Sequence, residues 1–163
     1  WGASIDQQTL SISFFEPEIL FKSGEAIITP RFKEILNDFF PRYVSILFSQ
    51  KFKDSIAEIR IEGHTSSEWT SSQTNTDDAY FYNMELSQER TLSVLRYCSG
   101  LIHDSETKNY IRQFITANGL SSSKLIYDAS GKEDKDRSRR VEFRTRTNAE
   151  RKIVQILEEI EHD

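Results

Sequence analysis

The chain has 163 residues, and its 26 acidic and 21 basic side chains give a formal net charge of −5. This acidic balance argues against a dedicated nucleic-acid-binding protein, whose affinity rests on excess lysine and arginine at phosphates. The single cysteine, Cys98, excludes an intrachain disulfide and a cysteine-rich metal site, and no apolar run reaches the roughly 18 residues of a membrane span.

The first half of the chain predicts a strand, a helix and a second strand. Alternating apolar and polar residues over 9–14 are typical of a half-buried strand. A helix is predicted from Pro30 to about residue 48, with Thr29 as its N-cap and a bend or restart at Pro41. A clearer strand follows over 56–62.

The second half opens with a polar stretch over 64–80, which predicts a functional or disordered loop. The remaining predicted elements are a helix reaching about 91–102, a helix at 108–116, strands at 124–127 and 139–145, and a C-terminal helix at 149–161. This order predicts an α+β fold, a two-layer sandwich in which a mixed sheet is covered by helices on one face.

We expect one domain over 1–163, with its core at about 9–146. Because the chain starts at Trp1 rather than Met, we also expect it to be a soluble part excised from a longer protein. The last predicted helix carries an apolar stripe. Two roles are open for this stripe: packing on the sheet of its own chain, and forming a dimer interface. The stripe consists of Ile153, Ile156, Leu157 and Ile160.

Metal, cofactor and catalytic motifs are absent from the sequence. The three histidines, His64, His103 and His162, lack the spacing of a metal cluster, and no glycine-rich phosphate loop occurs, so we predict no metal and no cofactor. The basic segment 132–146 is diluted by four acids and is interpreted as a solvated loop and strand edge rather than a nucleic-acid site.

One constellation points to anion binding. Gly63-His64-Thr65-Ser66 ends a predicted strand, and Arg90 follows near the start of a helix. With Ser87 as the N-cap, free backbone N–H groups would lie beside the Arg90 guanidinium and form a carboxylate site. If the helix starts near residue 81 instead, Asn83 and Arg90 share one face. A purely structural role for these side chains, as caps and a surface ion pair, is equally open.

These residues resemble the peptidoglycan-binding domain family of the OmpA C-terminal region, the Pal lipoproteins and the flagellar stator subunit MotB. The family pattern is Gly-His-Thr-Asp at a strand end, Asn-x-x-Leu-Ser-x-x-Arg at a helix start and Asn-Arg-Arg-Val-Glu in the last strand. In this sequence the three motifs lie at 63–66, 83–90 and 138–142. The segment 21–26 resembles the start of the family fold. The resemblance covers most of the chain and implies a β-α-β-α-β-β sandwich, here with extra helices.

The resemblance implies binding of the diaminopimelate in the stem peptide of the cell wall. It implies that Arg90 binds the ligand carboxylate and that Asn83 and Thr65 help to shape the pocket. The implied binding residues are Phe21, Thr65, Ser66, Tyr82, Asn83, Leu86, Arg90 and Arg139.

The sequence departs from the family at the amine partner, because Ser66 stands where the family has aspartate. A hydroxyl cannot supply the Coulomb attraction of a carboxylate. Lys22 likewise replaces an aspartate of the pocket rim, and the loop after Ser66 is long. We therefore expect a substitute acid among Glu68, Asp77 and Asp78; a pocket that has drifted to another ligand is the rival interpretation.

Within the family, the segment 63–69 together with Tyr82, Asn83 and Arg90 looks most like the MotB-type subunits of anti-phage defence motors. That likeness implies a periplasmic, non-catalytic anchor of an inner-membrane stator, working with an ion-channel partner subunit and forming a homodimer, without nucleic acid. A flagellar stator anchor, a Pal-like outer-membrane lipoprotein and, more remotely, a wall-acting hydrolase using His64 are the alternatives.

Overall fold

A computed structural model describes residues 1–15, 17–69, 75–149 and 153. The strands are β1 (Ala3–Asp6), β2 (Ser11–Phe14), β3 (Ile56–His64), β4 (Ile115–Gly119) and β5 (Arg140–Thr147). The helices are α1 (Pro17–Leu20), α2 (Pro30–Leu47), α3 (Thr76–Gly100), α4 (Ser105–Phe114) and α5 (Lys135–Ser138), with a 3₁₀ turn at Lys53–Ser55. In the described part of the chain, no helix is long and apolar enough to cross a bilayer.

The five strands form one mixed sheet in the order β1-β2-β5-β3-β4. Only the β3–β4 pair is parallel, and the other neighbouring strands run antiparallel. Chain order and sheet order differ because the last strand, β5, inserts between β2 and β3. This insertion brings the end of β3 next to the start of β5, with His64 opposite Arg140.

The core lies between the sheet and the long helices on one of its faces. Phe143 of β5 is fully buried and contacts Phe39 and Phe40 of α2, with ring centroids 5.0 and 6.3 Å apart. Ile59 and Ile61 of β3 are buried at every second position, as expected for a strand with one face on the core. The predicted two-layer α+β sandwich is therefore confirmed.

Helix α2 begins as the sequence predicts. The Thr29 hydroxyl accepts a hydrogen bond from the backbone N–H of Phe32 at 3.1 Å, and Pro30 occupies the first turn, where its missing N–H costs nothing. The predicted restart at Pro41 is wrong, because α2 runs without interruption through that residue to Leu47. Phe40 and Val44, on either side of Pro41, are buried, so tertiary packing holds the helix together across the proline.

Helix α3 begins twelve residues earlier than the Ser87 N-cap requires. Asn75 is the N-cap, and its side-chain oxygen accepts a hydrogen bond from the N–H of Asp78 at 2.9 Å. Ser87 is therefore an interior helical residue, and the predicted free backbone N–H groups beside Arg90 do not exist. The alternative, with Asn83 and Arg90 seven residues apart on one helix, is the arrangement observed. The loop predicted over 64–80 correspondingly ends at Asn75.

One further prediction differs from the structure, and one strand of the structure was not predicted. The segment 124–127 contributes only an isolated bridge between Tyr127 and Glu133, and the fourth strand is instead β4, directly after α4. The edge strand β1 was not predicted, because its four residues are too short to show a clear period. The predicted C-terminal helix and its stripe lie almost entirely outside the described residues; Ile153 is exposed.

Candidate functional site

A pocket of about 300 Å³ lies where the end of β3, the middle of α3 and the turn after α1 meet. It brings together seven of the eight residues that the sequence assigns to ligand binding. Its lining consists of Glu18, Phe21, Ser23, Gly24, Thr65, Ser66, Glu68, Trp69, Asn83, Leu86, Arg90 and Arg139. Segments far apart in the chain therefore converge on one concave surface, as ligand sites generally do.

The floor of the pocket is positioned by close packing of β3 on α3. A Cβ atom on Gly63 would lie 2.8 Å from the backbone oxygen of Ser87, so only glycine permits this approach. Beyond it, the N–H of Thr65 donates to the carbonyl of Ser121 at 2.9 Å. Thr65 and Ser66 are both buried, and the Thr65 hydroxyl has no hydrogen-bond partner in the described chain.

Asn83 holds the loop that forms one wall of the pocket. Its side-chain N–H groups donate to the carbonyl of Glu68 at 3.0 Å and to that of Ser66 at 3.4 Å. The side chain is buried, so these bonds form in a low-dielectric environment where they are strong. The Ser67 N–H donates to Glu133 at 2.9 Å, which ties the same loop to the segment before β5.

Arg90 supplies the cation of the pocket. Its Cζ lies 4.8 Å from the ring centroid of Phe21, and its Nε donates to the carbonyl of Glu25 at 2.9 Å. Among the residues that the structure describes, no carboxylate forms an ion pair with it, so the surface ion pair of the structural alternative is not found there. Burial, and secondarily the positive charge of Arg139, lower the pKa of Arg90 to about 10. The guanidinium is thus charged at neutral pH and has no anionic partner among the described residues.

Two carboxylates line the pocket and could receive a cationic group. Glu68, one of the three acids named as substitutes, lines the pocket but is ion-paired with Lys135. Glu18 of α1 also lines the pocket, and no ion pair to it is present in the described part of the molecule. Asp77 and Asp78 lie in the first turn of α3 and outside the lining, where Asp78 accepts a hydrogen bond from the Asn75 side chain at 2.7 Å.

Glu18 was missed because the residues around it showed no helical period. The four-residue helix α1 is too short to be recognised, yet it places Glu18 one turn before Phe21. An acid three residues ahead of a motif phenylalanine was the signal that could have found it.

The remaining assigned residues lie at the rim. Leu86 and Arg139 line the pocket, and Arg139 is ion-paired with Asp136. Tyr82 is outside the lining; its ring instead stacks on Trp69, with centroids 5.2 Å apart and planes at 29°.

His64 belongs to a different site, a buried cluster on the sheet face away from the long helices. Its Nε2 lies 3.6 Å from Glu62 and 3.9 Å from Glu142, while Arg144 contacts both carboxylates and Arg140 contacts Glu142. Burial alone would raise the pKa of both glutamates, but the neighbouring histidine and arginines lower it below its usual range.

The cluster contains side-chain types that bind metal ions, but it lacks the unneutralised negative charge that a metal site offers to a cation. Glu62, His64 and Glu142 have potential ligand atoms within 4.8 Å of one another. Arg140 and Arg144 already form ion pairs with the two carboxylates. A divalent ion here would have to displace the guanidinium groups of the buried Arg140 and the half-buried Arg144, so the donor set fits an ionic support for β3 and β5 better than a metal centre.

Comparison of the sequence and the fold with known proteins identifies the family of this chain. No protein-family model matches the chain. The Zorya protein ZorB of Escherichia coli is 46% identical over 159 residues, which cover 98% of this chain and 66% of that protein. The solved structure of a MotB-like protein from Desulfovibrio vulgaris has 26% identity and a TM-score of 0.54, over 88% of this chain and 76% of the other.

The chain belongs to the OmpA-like family of MotB-type domains. The periplasmic domain of Helicobacter pylori MotB shares the fold, with a TM-score of 0.60 at 18% identity over 96% of this chain and 86% of that one. The resemblance predicted from the motifs is confirmed. This MotB-type domain spans about two thirds of the length of ZorB.

Proposed function

We propose that this MotB-type domain is a non-catalytic module that binds peptidoglycan and anchors an anti-phage defence motor to the cell wall in the periplasm. The observation that carries the proposal is Arg90, a charged guanidinium fixed over Phe21 in a pocket and without an acidic partner in the described chain. The likeness to ZorB supports the defence motor over a flagellar stator or a Pal-like lipoprotein.

The ligand chemistry we propose is the free end of a diaminopimelate side chain, which carries a carboxylate and an ammonium group. Arg90 binds the carboxylate, and the unpartnered Thr65 hydroxyl donates a further hydrogen bond. Glu18 and Glu68 are the lining carboxylates available for the ammonium group. Glu18 is the stronger candidate because Lys135 already neutralises Glu68. The aspartate missing at Ser66 is then replaced from α1 rather than from the loop.

The assembly we propose around the domain has two copies beside an ion-channel partner subunit in the inner membrane. The likeness to a MotB periplasmic domain supports the periplasmic location. Neither the pairing of two copies nor the partner subunit is needed to form the pocket, whose lining comes from one chain.

A wall-acting hydrolase is the competing function, and the pocket does not favour it. Hydrolysis needs a metal or a nucleophile activated by a base. Thr65 and Ser66 are the hydroxyls at the pocket floor, but the described lining contains no histidine or cysteine, and His64 faces the buried ionic cluster instead.

Incubation of the domain with purified cell-wall sacculi tests the proposal. We expect the protein to pellet with the sacculi while no soluble muropeptides are released. Protein that remains in the supernatant would refute wall binding, and released muropeptides would show a hydrolase.

A further inference from the structure

The rim of the pocket carries an aromatic platform that nothing in the fold requires. Trp69 lines the pocket, and Tyr82 stacks on it in nearly parallel planes. Neither ring belongs to the hydrophobic core, and Tyr82 is 46% exposed. Exposed aromatic surface next to a binding pocket is apolar area that a bound ligand can cover.

The platform is held in place by the residues that shape the pocket. The carbonyl of Glu68, directly before Trp69, accepts the hydrogen bond from Asn83, and Asn83 directly follows Tyr82 in α3. Glu68 is also ion-paired with Lys135. The backbone before Trp69 is thus held against α3, next to Tyr82.

We propose that Trp69 and Tyr82 form a saccharide subsite, which stacks a sugar ring of the glycan to which the stem peptide is attached. This rests on the proposed function, since the sugar reaches the platform only when the peptide occupies the pocket. An aromatic face carries partial negative charge, and the C–H groups on one side of a pyranose ring carry partial positive charge. An exposed aromatic face of this stacked pair, beside a polar, charged pocket, matches a ligand that joins a sugar to a charged peptide.

Two ligands separate this subsite from the pocket itself: a muropeptide that retains its disaccharide, and the same stem peptide after removal of the sugars. Binding of each is measured by calorimetry with the parent, Trp69→Ala, Tyr82→Ala and the control Phe81→Ala. Phe81 is also exposed and aromatic, in the same turn of α3, but it neither lines the pocket nor stacks on Trp69.

We expect Trp69→Ala and Tyr82→Ala to weaken binding of the disaccharide-peptide about two- to tenfold. Affinity for the sugar-free peptide should fall less than that, because only the disaccharide covers the exposed aromatic face; Trp69 itself also lines the peptide pocket. Circular dichroism of each variant shows that it folds. Phe81→Ala should change neither affinity. Equal losses for both ligands would assign the rings to the peptide pocket, and no loss for either would remove the subsite. If the parent binds neither ligand, the proposed function itself fails.

Discussion

The guanidinium of Arg90 lies over the ring of Phe21, with 4.8 Å between Cζ and the ring centroid. The two residues come from α3 and from the turn after α1, which are joined again by the hydrogen bond from Arg90 to the carbonyl of Glu25. This contact fixes the position of the cation without neutralising it. A site that must bind a carboxylate needs such an arrangement, because an internal acid would compete with the ligand.

Removal of the charge at Glu18 tests which carboxylate receives the ammonium group. We expect Glu18→Gln to weaken binding of a diaminopimelate-containing stem peptide about two- to fivefold, since an exposed ion pair contributes little more. Glu68→Gln should have a smaller effect, because Lys135 already pairs with Glu68. Glu89→Gln, an exposed position in α3 outside the pocket lining, is the control. The reverse order in calorimetric affinities would move the role to Glu68.

The packing of β4 on α3 predicts a strong effect at Gly119. A Cβ atom there would lie 2.4 Å from the backbone nitrogen of Gln88, so the strand or the helix must shift. We expect Gly119→Ala to destabilise the fold by roughly 1–3 kcal/mol, measured as a lower thermal midpoint. Gly100→Ala is the matched control, because nothing lies within 4 Å of its added Cβ. Equal thermal midpoints for the two variants would show that this close approach does not exist.

The buried cluster predicts loss of stability in acid. The pKa values of Glu62 and Glu142 are lowered in the native state, so their ionised forms stabilise it above the ordinary glutamate pKa of 4.5. That contribution is lost as the pH falls below 4.5 towards the lowered values. Urea unfolding on both sides of pH 4.5 measures the effect, and Glu142→Gln should flatten the pH dependence. An unchanged slope in that variant would show that Glu142 does not contribute.

Cys98 is expected to be inert in the native protein. Its thiol is fully buried in α3, and burial raises its pKa, so the reactive thiolate is scarce at neutral pH. A colourimetric thiol reagent should label it only after denaturant is added. Rapid labelling without denaturant would show that α3 opens locally on the timescale of the assay.

The parts of the fold that sequence predicted are those with a strong local signal. Thr29 and Pro30 mark the start of α2, and the alternating residues of β3 and β5 mark strands. The start of α3 was misplaced because Ser87 has the chemistry of an N-cap, whereas Asn75 caps the helix within a polar stretch. Local chemistry alone cannot choose between two such caps.

The candidate site shows the same difference between residues with a local sequence signal and residues without one. The motif residues Asn83 and Arg90 were found because they match the family motif, and one of the two helix starts considered places them on one helical face. Glu18 and Trp69 were not assigned to ligand binding, because their place in the pocket depends on how α1 and the loop after β3 fold together. Proximity between residues that are far apart in the chain produces no periodic pattern in a single sequence, so it could not be predicted.

Binding of Arg90→Ala to purified sacculi tests the central claim most directly. The control is Arg96→Ala, which removes an exposed arginine of the same helix outside the pocket. A charge-assisted hydrogen bond predicts a loss of about ten- to a hundredfold in affinity for Arg90→Ala, and none for Arg96→Ala. Parent-like pelleting of a folded Arg90→Ala protein would contradict the assignment of this pocket to the peptidoglycan carboxylate.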